Sequence, residues 1–393
     1  MDEHGLHILC FAGSDWWLHN PLTEKQWMKQ LVGRDCKILY VNSIGIGIPS
    51  LSSPRAVRRM FNKLKSLVRC LRKSDEGVWV LTPFVLPLWS VKRIAALNAV
   101  LLRWQILRVM KFIGMKNPIF WAGLPTPAVL LGRIPCAAVV YFIQDNYTAY
   151  FDAMVFSKTQ EYHDTMLRSA DVVICSSIGM AEKIRATRNN VHYLPHGVAE
   201  KFFDVDISAQ NPLPEILKDI PAPRIGYWGS LEALQDPQLV AFIAEQRPDL
   251  SFVFIGKVMY DTTALAKYPN VYFPGFVPPE EIPACGVHFD IAMLCFVQSE
   301  WIKYCCPMKL REYLALGLPI VSVDIIEAER AFPGEVRVTH TREEFLLGIE
   351  AALSADTPEK HAARRSLVAG YTWSHTAGLV LDILRDISVK QSN

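Results

Sequence analysis

Short apolar runs alternate with longer stretches of helical periodicity along the first half of the chain. The runs LHILCFA, KILYVN, GVWVLTP, IFWAG, AAVVYFIQ, DVVICSS and VHYLPHG read as strands. Strand and helix in alternation predict a parallel sheet covered by helices. Several runs end in Gly, Asp or Ser, at the edge where open α/β sheets place a ligand crevice. After the HGV step at 196–198 comes KFFDVDISAQNPLPEILKDIPAPR, polar, proline-bearing and weakly periodic, which reads as an interdomain linker. The alternation then restarts with RIGYWGS, a helix from about Asp236 to Gln246, LSFVFIGK, NVYFPGFV, FDIAMLCF, a helix inside CPMKLREYLALGLPIV, and LPIVSVD. TWSHTAGLVLDILRDI closes the series as an amphipathic helix. The pattern predicts an α/β protein with one domain over residues 1–203, a second over 204–375 and a terminal helix over 376–393.

Size and composition agree with two domains. Of 393 residues 51% are hydrophobic, enough to bury a large core. Nine cysteines are scattered without paired metal-ligand spacing, which suits a reducing cytosol and structural thiols. Cys305 and Cys306 are adjacent, a spacing unlike that of a zinc site. MDEHGLHILCFAGSDWW begins acidic, and its apolar run comes too early and is too brief for a signal peptide. The longest apolar region, Ile94 to Ile113, carries Arg103, Arg108 and Lys111, so it fails as an uninterrupted span of about 20 apolar residues.

Charge changes the picture. The formal net charge of +2 conceals a window, residues 50–144, with 15 basic and 2 acidic residues, net +13. Within it RAVRRMFNKLKSLVRCLRK, residues 55–73, sets Val57, Met60, Phe61, Leu64, Leu67, Val68 and Leu71 at helical spacing among eight positive residues. Such a basic amphipathic helix lies on an anionic membrane, grips nucleic acid, or packs its apolar stripe inward with a solvated basic face. No zinc finger or RNA-recognition signature accompanies it, which speaks against nucleic acid. Trp79, Phe84, Trp89 and Trp104 add aromatics suited to a membrane interface.

The chemistry concentrates in CPMKLREYLALGLPIV, residues 306–321. Pro307 is poised to open a helix, Gly317 to end it, and Pro319 to prevent its continuation. Lys309 and Glu312 lie three apart, so both face one side while Leu310, Leu314 and Leu316 point elsewhere. A helix start with a lysine and a carboxylate one turn later suits a nucleoside diphosphate, the ammonium meeting phosphate and the carboxylate meeting ribose hydroxyls. The same spacing also suits a plain surface ion pair.

This stretch resembles a motif of the glycosyltransferases with two Rossmann-like domains, the GT-B fold, especially the family 4 (group 1) enzymes. The resemblance is specific over about residues 224–323. It implies two parallel sheets facing a central cleft and a C-terminal helix that packs back toward the first domain. It further implies a hexosyltransferase acting from a nucleotide diphosphate sugar, nearest to the group 1 enzymes of bacterial surface polysaccharide assembly, of teichuronic acid or exopolysaccharide type.

Residue by residue, the resemblance assigns the donor to Gly229, Ser230, Lys257, Phe276, Val277, Lys309, Leu310 and Glu312, with Glu312 on the ribose and the backbone near Phe276 and Val277 on the nucleobase. Where the family carries an Arg and a Lys soon after the glycine turn, this chain has SLEALQDPQ, which leaves Lys257 and Lys309 to supply positive charge. The family's first glutamate, eight residues before Glu312, is Tyr304 here, and Glu300 is either a substitute carboxylate or a solvated loop residue. AGSDWW at 12–17 resembles the acceptor-side glycine loop, with Gly13, Ser14 and Asp15 as its candidates. Asp145, after an apolar strand, is either a base that receives a proton from an acceptor hydroxyl or a helix cap. His196, with Gly197, resembles the step where such enzymes leave the first domain, a hinge or cleft-lining position.

Lys309 would stabilise the leaving diphosphate. Retention of configuration is what the family implies, whereas an inverting reaction would take Asp145 as base. No metal or cofactor is required beyond the nucleotide-sugar co-substrate. The expected partners are that donor, a glycan or lipid-linked acceptor and an anionic membrane through residues 55–73, with the protein cytoplasmic at the inner face of the cell membrane. A nucleotide-sugar epimerase of the same fold and a non-catalytic nucleotide-binding scaffold are the alternatives.

Overall fold

The structure, a computed structural model, describes residues 5–17, 22–43, 70–86, 92–149, 153–207, 211–232 and 234–390. Its contacts divide into two units. The first comprises Met1–Ser176, Met180–Leu194 and Trp373–Asn393, and the second Ser177–Gly179 and Pro195–Thr372. The divisions thus fall at residues 194 and 372, where the sequence suggests 203 and 375. The segment expected to be a linker packs into the second unit, with Phe202, Leu217 and Ile220 buried in its core. Its irregular, proline-broken apolar residues give no periodicity from which that burial can be read.

The first unit holds an eight-stranded sheet of β1 (His7–Phe11), β2 (Lys37–Val41), β3 (Leu71–Lys73), β4 (Trp79–Leu81), β5 (Ile119–Ala122), β6 (Ala138–Ile143), β7 (Val172–Cys175) and β8 (Val191–Tyr193), in the order β3-β4-β2-β1-β5-β6-β7-β8. The pairings among β4, β2, β1, β5, β6, β7 and β8 are parallel. All of β5, β6 and β7 is buried, which is why these strands read as unbroken apolar runs. β3 pairs antiparallel with β4. The basic helix expected over 55–73 therefore does not reach its last three residues. The turn at Ser74–Gly77, closed by Gly77 N–H to Ser74 O at 2.9 Å, folds them back as an edge strand whose Arg72 and Lys73 discourage further pairing. Residues 55–69 lie outside the described residues.

The helix Thr23–Val32 buries Glu24, Trp27, Met28 and Leu31, one face at helical spacing. The terminal helix Trp373–Lys390 packs on it, with Trp27 Nε1 donating to Thr376 Oγ1 at 3.0 Å and Arg34 Nη2 donating to Ser374 O at 2.7 Å. It therefore belongs to the first unit although it ends the chain.

The second unit holds a six-stranded sheet of β9 (Arg224–Trp228), β10 (Ser251–Ile255), β11 (Val271–Gly275), β12 (Ile291–Leu294), β13 (Ile320–Val323) and β14 (Val336–Thr339), in the order β11-β10-β9-β12-β13-β14. Every pairing is parallel, and the order reverses between β9 and β12. β14 is absent from the sequence reading because VRVT is short and half-exposed. The expected helix near Asp236 is Pro237–Gln246, capped by Asp236, which accepts from the Gln238 and Leu239 N–H groups.

The helix Met308–Ala315 joins β12 to β13 and ends before Gly317, whose φ is +76°. Pro307 is its N-cap rather than its first helical residue. From this helix Arg311 points into the unit, fully buried, and pairs with the equally buried Glu327 at 2.5 Å. Glu327 also accepts from Ile178 N–H at 2.8 Å, and Arg311 Nη1 reaches Cys306 Sγ at 3.2 Å. Removing one partner of such a pair strands a buried charge. Glu327→Ala should lower stability by about 3–5 kcal/mol, read as a fall in the urea midpoint, whereas Glu343→Ala at the exposed Arg342 pair should leave the midpoint in place.

Candidate functional site

In the second unit three glycines with positive φ follow or end adjacent strands, Gly229 after β9 (+127°), Gly256 after β10 (+152°) and Gly275 at the end of β11 (+108°). The turns touch. A Cβ at Gly256 would sit 1.8 Å from the Gly229 carbonyl oxygen, so only glycine fits there. Lys309 crosses the first turn, its Cε 2.4 Å from where a Gly229 Cβ would stand and its Nζ 5.2 Å from the centre of the Tyr227 ring. Tyr227 hydrogen-bonds the ammonium and accepts from Gln235 Nε2 at 2.9 Å. Burial alone would lower the Lys309 pKa, but Tyr227 and Glu312 beside it hold it above the ordinary lysine range.

Glu312 lies one turn further along the same helix. Its Oε2 accepts from Trp228 Nε1 at 2.8 Å, and Trp228 in turn packs edge-on against Tyr313 at 4.4 Å. Burial raises the Glu312 pKa against the Trp228 hydrogen bond and the charges of Lys309 and Lys201. Gly229, Lys309 and Glu312 are thus brought together at the place where the strand order reverses, with the N-terminus of the helix Met308–Ala315 beside them.

The other donor candidates are placed less uniformly. Ser230 and Lys257 are exposed at the first two glycine turns, which pair through Leu231 N–H to Lys257 O at 3.1 Å. Phe276 is exposed after Gly275, and Val277 is buried. The Leu310 side chain is wholly core, and its N–H donates to Pro307 O at 3.1 Å. His196 falls in the second unit, where burial and the nearby Arg311 guanidinium push its pKa down to about 3. Glu300 is exposed on the short helix Glu300–Lys303.

The first unit has its own reversal between β1 and β5, and Gly13 and Gly123 follow those two strands. Between them stands Glu24, 1% exposed, a residue that the sequence reading passed over. Its Oε2 accepts from Gly13 N–H at 2.8 Å and its Oε1 from Trp121 Nε1 at 3.1 Å, with a further bond from Gln144. Burial pushes its pKa up to about 7 against these hydrogen bonds. The available signal was its place on the apolar stripe of Trp27, Met28 and Leu31, where a solvated glutamate does not belong.

Ser14 is buried, its hydroxyl 3.0 Å from Tyr40 Oη, and Asp15 Oδ1 accepts from Trp17 N–H at 2.8 Å. Asp145 follows Gln144 at the end of β6. Its residue surface is only partly covered, but burial of the carboxyl pushes its pKa up to about 7. No hydrogen bond of a helix cap reaches that carboxyl among the described residues. Also among the described residues, no group of three or more His, Cys, Asp or Glu is placed to hold a metal ion.

The chain has the GT-B fold. It superposes on sucrose-phosphate synthase from Thermosynechococcus elongatus with a TM-score of 0.71 at 12% identity, over 98% of this chain and 100% of the other. A glycosyltransferase from Rickettsia africae gives 0.68 at 12% identity over 98% of both chains. Anabaena HepE in complex with UDP and glucose gives 0.63 at 14% identity, over 97% of this chain and 99% of that one.

Residues 222–353, within the second unit, match the family described as glycosyl transferases group 1. A Bacillus subtilis (strain 168) protein provisionally described as the teichuronic acid biosynthesis glycosyltransferase TuaH is 29% identical over 171 residues. That match spans 41% of this chain and 42% of the relative, less than half of either.

An Asp145 that titrates at about 7 rather than 3.8 holds a proton that the unfolded chain has lost, so stability falls as pH rises through that window. Asp145→Asn should therefore gain little near pH 4 and on the order of 1–2 kcal/mol at pH 8, allowing for solvent, as read by denaturant unfolding at both values. At Gly123 a Cβ would stand 1.6 Å from Glu24 Oε1. Gly123→Ala should cost about 1–3 kcal/mol in the same assay.

Proposed function

We propose that the chain is a group 1 glycosyltransferase that takes a sugar from a nucleoside diphosphate sugar. One observation carries the reading. Lys309 lies across the Gly229 turn with Glu312 one helical turn along, inside the segment that the group 1 family matches. Negative charge grows on the diphosphate as the glycosidic bond breaks, and an ammonium already fixed in a partly dry turn stabilises it without reorganisation. Glu312, with one oxygen on Trp228, keeps the other for ribose hydroxyls. The UDP and glucose bound by Anabaena HepE support a nucleoside diphosphate sugar as donor class.

The acceptor is assigned to the first unit as a membrane-proximal, lipid-linked glycan of surface polysaccharide synthesis, at the cytoplasmic face of the membrane. The description of the Bacillus subtilis relative supports that assignment. No helix among the described residues is long and apolar enough to cross a membrane, so the proposed association is peripheral. The reaction is assigned retention, with a donor phosphate oxygen taking the acceptor proton and no metal required.

Incubation with a panel of nucleotide sugars and acceptor lipid, with detection of released nucleoside diphosphate, tests the reading. Lys309→Ala should slow release by about 100-fold. Glu312→Ala should weaken nucleoside diphosphate binding by about tenfold, and unchanged affinity would remove the ribose assignment. Asp145→Asn should still transfer with retention. An inverted product and a folded, inactive Asn variant would give the proton to Asp145 instead.

A further inference from the structure

The helix Lys92–Phe112 of the first unit buries Ala99, Leu102, Ile106 and Met110. Its other side leaves Leu97, Val100 and Trp104 at 47%, 56% and 53% exposure. These three lie three and four residues apart, so they form one stripe. Arg93 and Lys111 continue the stripe at its two ends, and the Arg108 guanidinium lies 4.3 Å from the centre of the Trp104 ring. The helix contains no acidic residue. Beside it stands Phe84, also exposed, whose N–H donates to Gln105 Oε1 and whose carbonyl accepts from Gln105 Nε2, at 2.8 and 2.9 Å.

We propose that this face docks the protein on an anionic lipid bilayer, with Leu97, Val100 and Trp104 in the headgroup region and Arg93, Arg108 and Lys111 against lipid phosphates. Large apolar side chains aligned on an exposed face call for a cover, and an uninterrupted basic surround selects an anionic one. The surrounding window, net +13 over residues 50–144, extends the same field. The helix is not apolar enough to span, so it lies in the plane of the interface. Aromatic and aliphatic groups between arginines and lysines are the composition such a helix uses, the long basic stems reaching back to the phosphates.

The proposal rests on the membrane-proximal part of the reading above. It is tested without any sugar donor, so that its failure and that of the transferase reading are distinguished. The full chain is sedimented with vesicles of phosphatidylcholine plus phosphatidylglycerol, and with phosphatidylcholine alone. Binding is expected only to the anionic vesicles and should weaken about tenfold from low to high salt. The triple variant Leu97→Glu, Val100→Glu, Trp104→Glu should lose at least about tenfold in binding, and Arg93→Gln with Lys111→Gln should flatten the salt dependence. Leu347→Glu, exposed on the second unit, should bind as the parent does. Circular dichroism confirms the fold of each variant, and the glutamine pair decides if the triple variant does not fold. Equal binding to neutral vesicles overturns the proposal, as does undiminished binding of the variants. A dimer in sedimentation velocity that the triple variant disperses, with no vesicle binding, would instead assign the face to a second copy of the chain.

Discussion

A guanidinium with no access to water has to keep its counter-ion, and Arg311 keeps Glu327 at 2.5 Å. Through Glu327 the pair also holds the Ile178 N–H, so three separated pieces of chain meet at one point. The consequence for the second unit's glycine crevice is geometric. The helix Met308–Ala315 has about two turns, and Leu310, Tyr313 and Leu314 are buried on it together with Arg311, so its inward side is fixed. With Arg311 pinned inward, Lys309 and Glu312 are set by helix geometry about 60° from each other on another side, where they meet the Gly229 turn and Trp228. A buried charge with no part in ligand binding thus aims the two that are assigned to it.

The two units use the same place in their topology for opposite electrostatics. Each sheet reverses its order next to its first strand, and each first strand is followed by a glycine turn. In the second unit an ammonium lies across that turn, whereas in the first a carboxyl closes it from behind by accepting the Gly13 N–H. A turn whose N–H already belongs to a carboxyl has little left for a phosphate. It suits neutral hydroxyl-bearing ligands better, in keeping with the acceptor assignment.

Most of the fold was legible because parallel strands buried on both faces must be apolar throughout, as in AVVYFI of β6. What escaped was short or half-wet: VRVT of β14, and LRK of β3, whose charges suggested a helix face until the SDEG turn folded them onto β4. Lys309 and Glu312 were legible through spacing and resemblance together. Tyr227, Gln235 and Trp228, which hold them in place, were not, since a tyrosine and a tryptophan ending a strand look like core. Glu24 was hidden for a related reason. Glutamate in a first helical turn is ordinary, and only its three-dimensional neighbours show it to be dry.

Asn98 and Gln105, seven residues apart on the helix Lys92–Phe112, each hold one residue of the neighbouring strand exit by both its N–H and its carbonyl, Leu86 and Phe84 respectively. Two such clamps two turns apart act as keys in a shaft. For the helix to roll and hide Leu97, Val100 and Trp104 against the sheet, all four hydrogen bonds would have to break at once. The oily side is therefore locked outward by amides, and a roll of this helix does not relieve it.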